Sequence, residues 1–269
     1  MSGAIPSLFP ISDVISKIPA IRIVDAGAMS LGEDKDPYSR LNRSARPGCT
    51  YLPHALGDGT EQILYECNAP MTSSLLEPNE ALLAMFHGIP ELTRVVRKHR
   101  LRTVRLDDVP QAKGTDYLKL DVQGAELMVL GGALAMLRDV LVVHTEVEFL
   151  PMYKNQPLFA DIDAFLRGQG FVLHRIAGTK GASHRIPGIE VELSGTVNQM
   201  IWGEAVYARD FMALDRLSRA ALLKLAAILH ENYGSHDLAA VVLHAHDRVA
   251  GTDLFDHYLQ RLFEDAPAA

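Results

Sequence analysis

Apolar residues in this chain come in short runs, broken by glycine, proline and acids, as strands do when they alternate with helices. Ile21–Asp25 (IRIVD) reads as a short buried strand followed by the loop AGAMSLG. Thr50–Leu56 (TYLPHAL) is the next strand candidate and ends in GDG, and Gln62–Cys67 (QILYEC) follows as another. A helix is expected from about Asn79. The basic run Arg94–Arg105 (RVVRKHRLRTVR) reads as a solvated helix end entering a strand, and Leu101–Leu106 leads into a turn. Further strands are expected at Asp116–Asp121, Val140–Glu146, Phe171–Ile176 and Gln199–Tyr207, the last two separated by a glycine-rich excursion over 177–197. Phe159–Gly168 has the pattern of an amphipathic helix that stops at glycine. The alternation predicts an α/β fold with a mostly parallel sheet.

The stretch Leu118–Glu126 (LKLDVQGAE) looks like a strand end turning into a helix. Leu127, Leu130, Leu134 and Leu137 then recur at helical spacing. From about Phe211 the pattern becomes helical throughout. Leu214, Leu217, Ala221, Leu225 and Ile228 form one stripe, and Leu238, Val241, Val242, Ala245 and Val249 form a second. Thr252 is placed to cap a third helix running to about Phe263. These boundaries predict a main domain over 1–210 and a C-terminal helical appendage over 211–269, with one or two helical pairs being too few for a repeat array.

The 269 residues are 48% hydrophobic and 22% charged, enough for a sizeable core without metal or disulfides. A formal charge of −7 disfavours a broad nucleic-acid surface. Cys49 and Cys67 have no zinc or disulfide spacing. No apolar stretch is long enough to span a membrane, and no signal segment is read, so a cytoplasmic location is the expectation. His244, His246 and Asp247 are a weak metal candidate, because residues two apart on a helix do not face each other, and no metal site is expected.

Acids stand at four predicted strand ends: Asp25, Asp58, Asp121 and the pair Glu146/Glu148. In a parallel sheet these gather along the edge where ligands bind. Carboxylates accept hydrogen bonds from an amine, an ammonium group or a ribose hydroxyl, and Gly27 and Gly57 permit close backbone approach. For any one of them a turn or helix-cap role is the competing reading. Neither a G-x-G-x-x-G fingerprint nor a Walker A pattern is present, which argues against hydride transfer and nucleotide hydrolysis.

Six segments together resemble the FkbM-type family of S-adenosylmethionine-dependent methyltransferases. They are VDAGAM (Val24–Met29), ALGDG (Ala55–Gly59), SSLLEPN (Ser73–Asn79), LDDV (Leu106–Val109), LKLDVQGAELMVLGGA (Leu118–Ala133) and HTEVEFLPMYKNQPLF (His144–Phe159). The likeness covers roughly residues 20–207, and 118–133 is its most specific part. It implies a Rossmann-like sheet, S-adenosylmethionine as cofactor and methylation of a hydroxyl on a sugar, glycan or secondary metabolite. It also implies that Asp25, Ala26 and Gly27 line the methionine part of the cofactor, that Asp58 faces the adenine amine and that Asp121 lies beside the methyl group. Asp121, His144 and Glu146, in that order, are the candidates for the base that takes the acceptor's proton. Against these, His144 also reads as an inward strand residue with a satisfied ring. Glu126 sits where a carboxylate favours the helix dipole, with a direct site role equally open, and Tyr153, Lys154 and Gln156 are placed to touch a substrate but read first as a solvated loop.

One departure stands out. A strand-helix-strand unit takes on the order of 30 residues, and only residues 26–49 separate Asp25 from the segment at Thr50. The strand whose terminal acid binds the cofactor's ribose has no counterpart there, and Ser44–Cys49 carries no carboxylate. Three readings follow. Glu33, Asp34 or Asp36 reaches the ribose from the loop; or the chain is a non-catalytic binding or assembly relative; or a deletion has left a sheet edge open to pairing with another chain. A homo-oligomer through that edge or through the helical appendage is therefore among the expectations.

Overall fold

The computed structural model describes residues 19–27, 50, 52–189 and 199–264. Its strands are β1 (Ile23–Ala26), β2 (Glu61–Cys67), β3 (Val95–Arg102), β4 (Tyr117–Leu120), β5 (Val142–Glu148), β6 (Phe171–Ala182) and β7 (Gln199–Arg209). Its α-helices are α1 (Glu80–Leu83), α2 (Ile89–Leu92), α3 (Glu126–Gly131), α4 (Phe159–Gly168), α5 (Arg219–Tyr233), α6 (His236–Ala250) and α7 (Leu254–Glu264). The chain divides into two compact units, one spanning Ile23–Tyr207 and one holding the helices after Ala208.

The first unit is an α/β structure built on a five-stranded sheet of order β1-β4-β5-β7-β6. β1, β4 and β5 run parallel, with Ile23 opposite Tyr117 and Tyr117 opposite Val142. Central strands of a parallel sheet are covered on both faces and so read as continuous apolar runs. Leu118, Leu120, Val142 and Val143 are accordingly all buried. Leu118, Leu120 and Val143 pack with Val129, Leu130 and Leu137 from the segment after β4, and with Ile162 and Leu166 of α4. The three parallel strands thus bring Asp25, Asp121 and the acids of β5 to one edge of the sheet. β1 is the outermost strand of this sheet among the described residues. The expected missing strand-helix unit falls at 28–49, outside the described residues.

Four expectations are corrected. The basic run is not a helix end. It is β3, antiparallel to β2 in a separate two-stranded sheet, with Glu61 opposite Arg102 and Tyr65 opposite Lys98. Its charges alternate with half-buried residues, Lys98 lies over the Tyr65 ring at 4.8 Å and His99 pairs with Glu66 at 2.7 Å. The stretch 52–56 forms no strand beyond one parallel bridge from Leu56 to Val104, since Pro53 removes a backbone donor. The helix after Gly124 stops at Gly131, where the Gly131-Gly132 pair offers no side chain to hold it. A 3-10 turn over Met136–Arg138 then restores the apolar contact of Leu137, while Leu134 is 43% exposed. Finally, β6 does not end at Ile176 but runs on to Ala182.

In the second unit Ser218 caps α5 by accepting from the Ala221 amide, and Gly234 closes that helix in the left-handed conformation. The buried face of α6 is Ala239, Val242, Leu243 and His246. The expected stripe is shifted, and its members Val241 and Val249 face solvent. Large side chains marked the wrong face because His246 is satisfied inside, against Asp247 and Thr252. Asp247, not Thr252, accepts from the Phe255 amide at the start of α7. His246 is thus engaged inside the bundle, while His244 of the metal candidate is exposed and stacks edge-on against Phe255.

Leu118 is fully buried between the layers, so Leu118→Ala removes packing that the neighbours cannot refill. The expected loss is about 2–5 kcal/mol of unfolding free energy, read from urea denaturation.

Candidate active site at the carboxyl ends of β1, β4 and β5

The ends of β1 and β4 are locked together by backbone. The Asp121 amide donates to the Ala26 carbonyl at 2.8 Å. Immediately beyond, Gly27 passes so close that a Cβ there would stand 2.1 Å from the Asp121 carbonyl oxygen. Only glycine fits this crossing. Ala26 is buried beneath it, while Asp25 and Gly27 are exposed.

After Asp121 the chain turns through two positive-φ residues, Gln123 at 55° and Gly124 at 92°. That turn aims the Gln123 side chain back over the strand ends. Its Nε2 donates to Asp121 Oδ1 at 2.8 Å and to Glu146 Oε2 at 2.9 Å. Gly124 is buried against the Gln156 amide, with no room for a Cβ. Ser74 braces the turn from outside by donating its hydroxyl to the Gln123 carbonyl at 2.6 Å. α3 then begins with Glu126, fully buried, whose Oε1 accepts from the Val122 amide at 2.8 Å.

Glu146 and Glu148 lie two apart on β5 and so project to the same face. Both are buried, and with Glu126 they place one carboxylate oxygen each within 4.8 Å of one another. Burial, with the Asp121 charge beside it, pushes Glu126 up to about 7. Glu146 is pushed up to about 9, again by burial and then by Asp121, Glu126 and Glu204. Burial and the neighbouring carboxylates hold Glu148 well above the usual range. Asp121 is the open member, with its side chain 36% exposed and the Lys119 ammonium 3.7 Å away.

His144 shares β5 but is engaged at both ring nitrogens. Nδ1 lies 3.1 Å from the Tyr117 hydroxyl and Nε2 lies 3.1 Å from Glu204 of β7. The His144 hydrogen bond in turn holds Glu204 below the usual carboxylate range. Asp58 is exposed and builds its own turn. It accepts from the Thr60 hydroxyl at 2.7 Å, from the Thr60 amide at 2.9 Å and from Thr103 at 3.2 Å. The Thr60 bonds above all hold it down at about 2.

The structure therefore brings Asp121 and Glu146 together through Gln123, with Asp25, Ala26 and Gly27 along the same edge. Asp58 and His144 are tied into separate hydrogen-bonded groups. The loop acids Glu33, Asp34 and Asp36 lie outside the described residues. The loop after β5 is not wholly solvated, as was expected. Of the three residues singled out there, Tyr153 and Gln156 are buried and Lys154 is exposed, paired with Glu77 at 2.9 Å. Gln123 and Glu204 were missed in the sequence. For Gln123 the signal was a polar residue just before a turn glycine, and for Glu204 a charge inside an otherwise apolar strand.

The family model described as the methyltransferase FkbM domain matches residues 28–173. No curated protein and no solved structure matches the chain.

Gln123→Ala leaves Asp121 and Glu146 without their shared donor. The expected cost is about 1–3 kcal/mol of stability, measured by urea unfolding. An unchanged midpoint would mean that the bridge contributes nothing to the folded state.

Proposed function

The chain belongs to the FkbM methyltransferase family, and from that premise we propose that it moves the methyl group of S-adenosylmethionine to a hydroxyl of a sugar, glycan or secondary metabolite. The observation that carries this reading is the crossing of Gly27 over Asp121, sealed by the Asp121 amide on the Ala26 carbonyl. A ligand over that crossing meets bare backbone on one side and a strand-end carboxylate on the other, the arrangement that suits a polar cofactor at this edge of an α/β sheet.

The residues present fit the amino-acid end of the cofactor. The Asp25 carboxylate is exposed at the strand end, and Gly27 beside it is exposed as well. When bound, S-adenosylmethionine supplies a methyl group on a sulfonium, a carbon already activated toward nucleophiles. The protein's task is to orient the acceptor and receive its proton. Asp121 is our choice of base, because it is the accessible carboxylate of the group and Gln123 fixes its orientation. Glu146 is shut in at 8% exposure, and His144 is spent between Tyr117 and Glu204. Asp58 is assigned to the adenine amine by the family resemblance alone.

The second reading, a non-catalytic relative that binds or assembles, draws on one observation: β1 is the outermost strand among the described residues. Calorimetric titration with S-adenosylmethionine and with its demethylated product separates the two. Saturable binding is expected, and silence at millimolar ligand would sink the methyltransferase reading. With labelled methyl donor and a panel of hydroxylated acceptors, Asp121→Asn should lower transfer by about 10²- to 10⁴-fold while the far-ultraviolet spectrum stays unchanged. Normal turnover in that variant removes Asp121 as the base.

A further inference from the structure

Glu126, Glu146 and Glu148 are more acid than the methyl-transfer reading uses. We propose that these three carboxylates form a binding site for one hard divalent cation of the magnesium, manganese and calcium class.

Geometry is the first support. The three residues come from the first turn of α3 and from one face of β5, and one oxygen of each lies within 4.8 Å of the others. Two oxygens bound to one ion at about 2.3–2.6 Å stand at most about 4.6–5.2 Å apart. Three oxygens within 4.8 Å of one another lie within about 2.8 Å of a common centre, so a small inward shift seats them on a calcium-sized ion and a larger one on manganese or magnesium. An all-carboxylate donor set selects hard cations over zinc or copper.

The second support is independent of the acids' proximity. Gln156 is not an acid, is 7% exposed and already uses its Oε1 to accept from the Tyr153 amide at 3.0 Å. Its Nε2 is buried and has no hydrogen-bond partner. It lies beside the bare backbone of Gly124 and close enough to Glu148 to favour that carboxylate's charged form, while making no hydrogen bond of ordinary length. Glu126 Oε2 and Glu148 Oε2 are buried and unpartnered as well. Orphaned buried polar atoms call for an ion or a water. One stranded donor beside two stranded acceptors is what a hydrated cation resolves, with the carboxylate oxygens on the ion and Nε2 donating to a water in its shell.

Charge is the third. Lys119, whose ammonium is 3.7 Å from Asp121, also favours the charged form of Glu146, against the larger opposing effect of burial. The three glutamates themselves make no ion pair among the described residues. A divalent ion supplies the missing positive charge. Its role rests on the methyl-transfer reading: seated behind Asp121, it offsets the buried negative charge next to the base that receives the acceptor's proton. Binding of the ion does not depend on that reading.

The experiment uses the full chain, stripped with chelator and studied without S-adenosylmethionine. Mn²⁺ binding is followed by electron paramagnetic resonance, and Ca²⁺ and Mg²⁺ by calorimetry. The expected result is one Mn²⁺ per chain, displaced by Ca²⁺, with a melting temperature that rises with ion concentration. Glu126→Gln and Glu148→Gln should each weaken binding by roughly tenfold or more, while Glu61→Gln, an exposed acid on β2, leaves it unchanged. Three results overturn the proposal. They are no binding at millimolar ion, binding that survives both site substitutions, or melting that ignores the ion, as a cluster sharing protons around a buried water would give. The wild-type stoichiometry decides even if a variant fails to fold. Because the cofactor titration is separate, a chain that binds Mn²⁺ but not S-adenosylmethionine keeps this site and loses the methyltransferase reading, and the reverse outcome does the opposite.

Discussion

The two hydrogen bonds that the Gln123 amide nitrogen donates are the interaction on which the candidate site depends. Carboxylates repel one another, and burial multiplies the cost of leaving their charges unmatched. Asp121, just after β4, and Glu146, on β5, are nevertheless set side by side by the register that puts Leu120 opposite Thr145. One amide nitrogen, delivered by a turn with two left-handed residues, joins them. The turn is held from three directions. The Ser74 hydroxyl grips its carbonyl, Gln156 fills the space that a Cβ on Gly124 would need, and the Val122 amide anchors Glu126. Local strain at Gln123 is thus offset by packing and hydrogen bonds that extend well beyond the turn.

Much of this was readable in the amino-acid order, and the failures have physical causes. The strands near Asp25, Asp121 and Glu146 were legible because buried parallel strands are apolar throughout and acids follow such runs, although β5 runs two residues past Glu146. The 118–133 segment also carried the family. β3 was misread because its charges sit on a two-stranded sheet with one wet face, where a basic run is as compatible with a strand as with a helix. The burial of Tyr153 and Gln156 was hidden, since a loop's sequence does not tell whether it crosses solvent or a strand end. Gln123 was hidden for a related reason: nothing in its type reveals a backbone at positive φ.

The position of β1 bears on the whole reading. A strand at the margin of a parallel sheet has half its backbone groups unmatched by the sheet. Here that strand also carries Asp25 and leads into Gly27, so the same few residues serve as the sheet's limit among the described residues and as one side of the candidate site. Order at Gly27 derives from its contact with Asp121, on the β4 side. The acidic group at β4 and β5 draws its support from elements farther along the chain. The two halves of the site are consequently supported by different parts of the protein, and they need not have changed together.

The small β2–β3 sheet lies apart from the main one, yet it is not free to drift. Ser74 pairs with Tyr65 of β2 and also holds the Gln123 carbonyl, while the Thr72 carbonyl receives the Tyr153 hydroxyl at 2.9 Å. Residues 72–74 therefore answer to two masters: they must close a hairpin and must also keep a distant turn in place. Sequence variation in this sheet should be lopsided as a result, generous along its solvent-facing positions such as Val96 and Arg97, and narrow in the few residues that couple it to the acids.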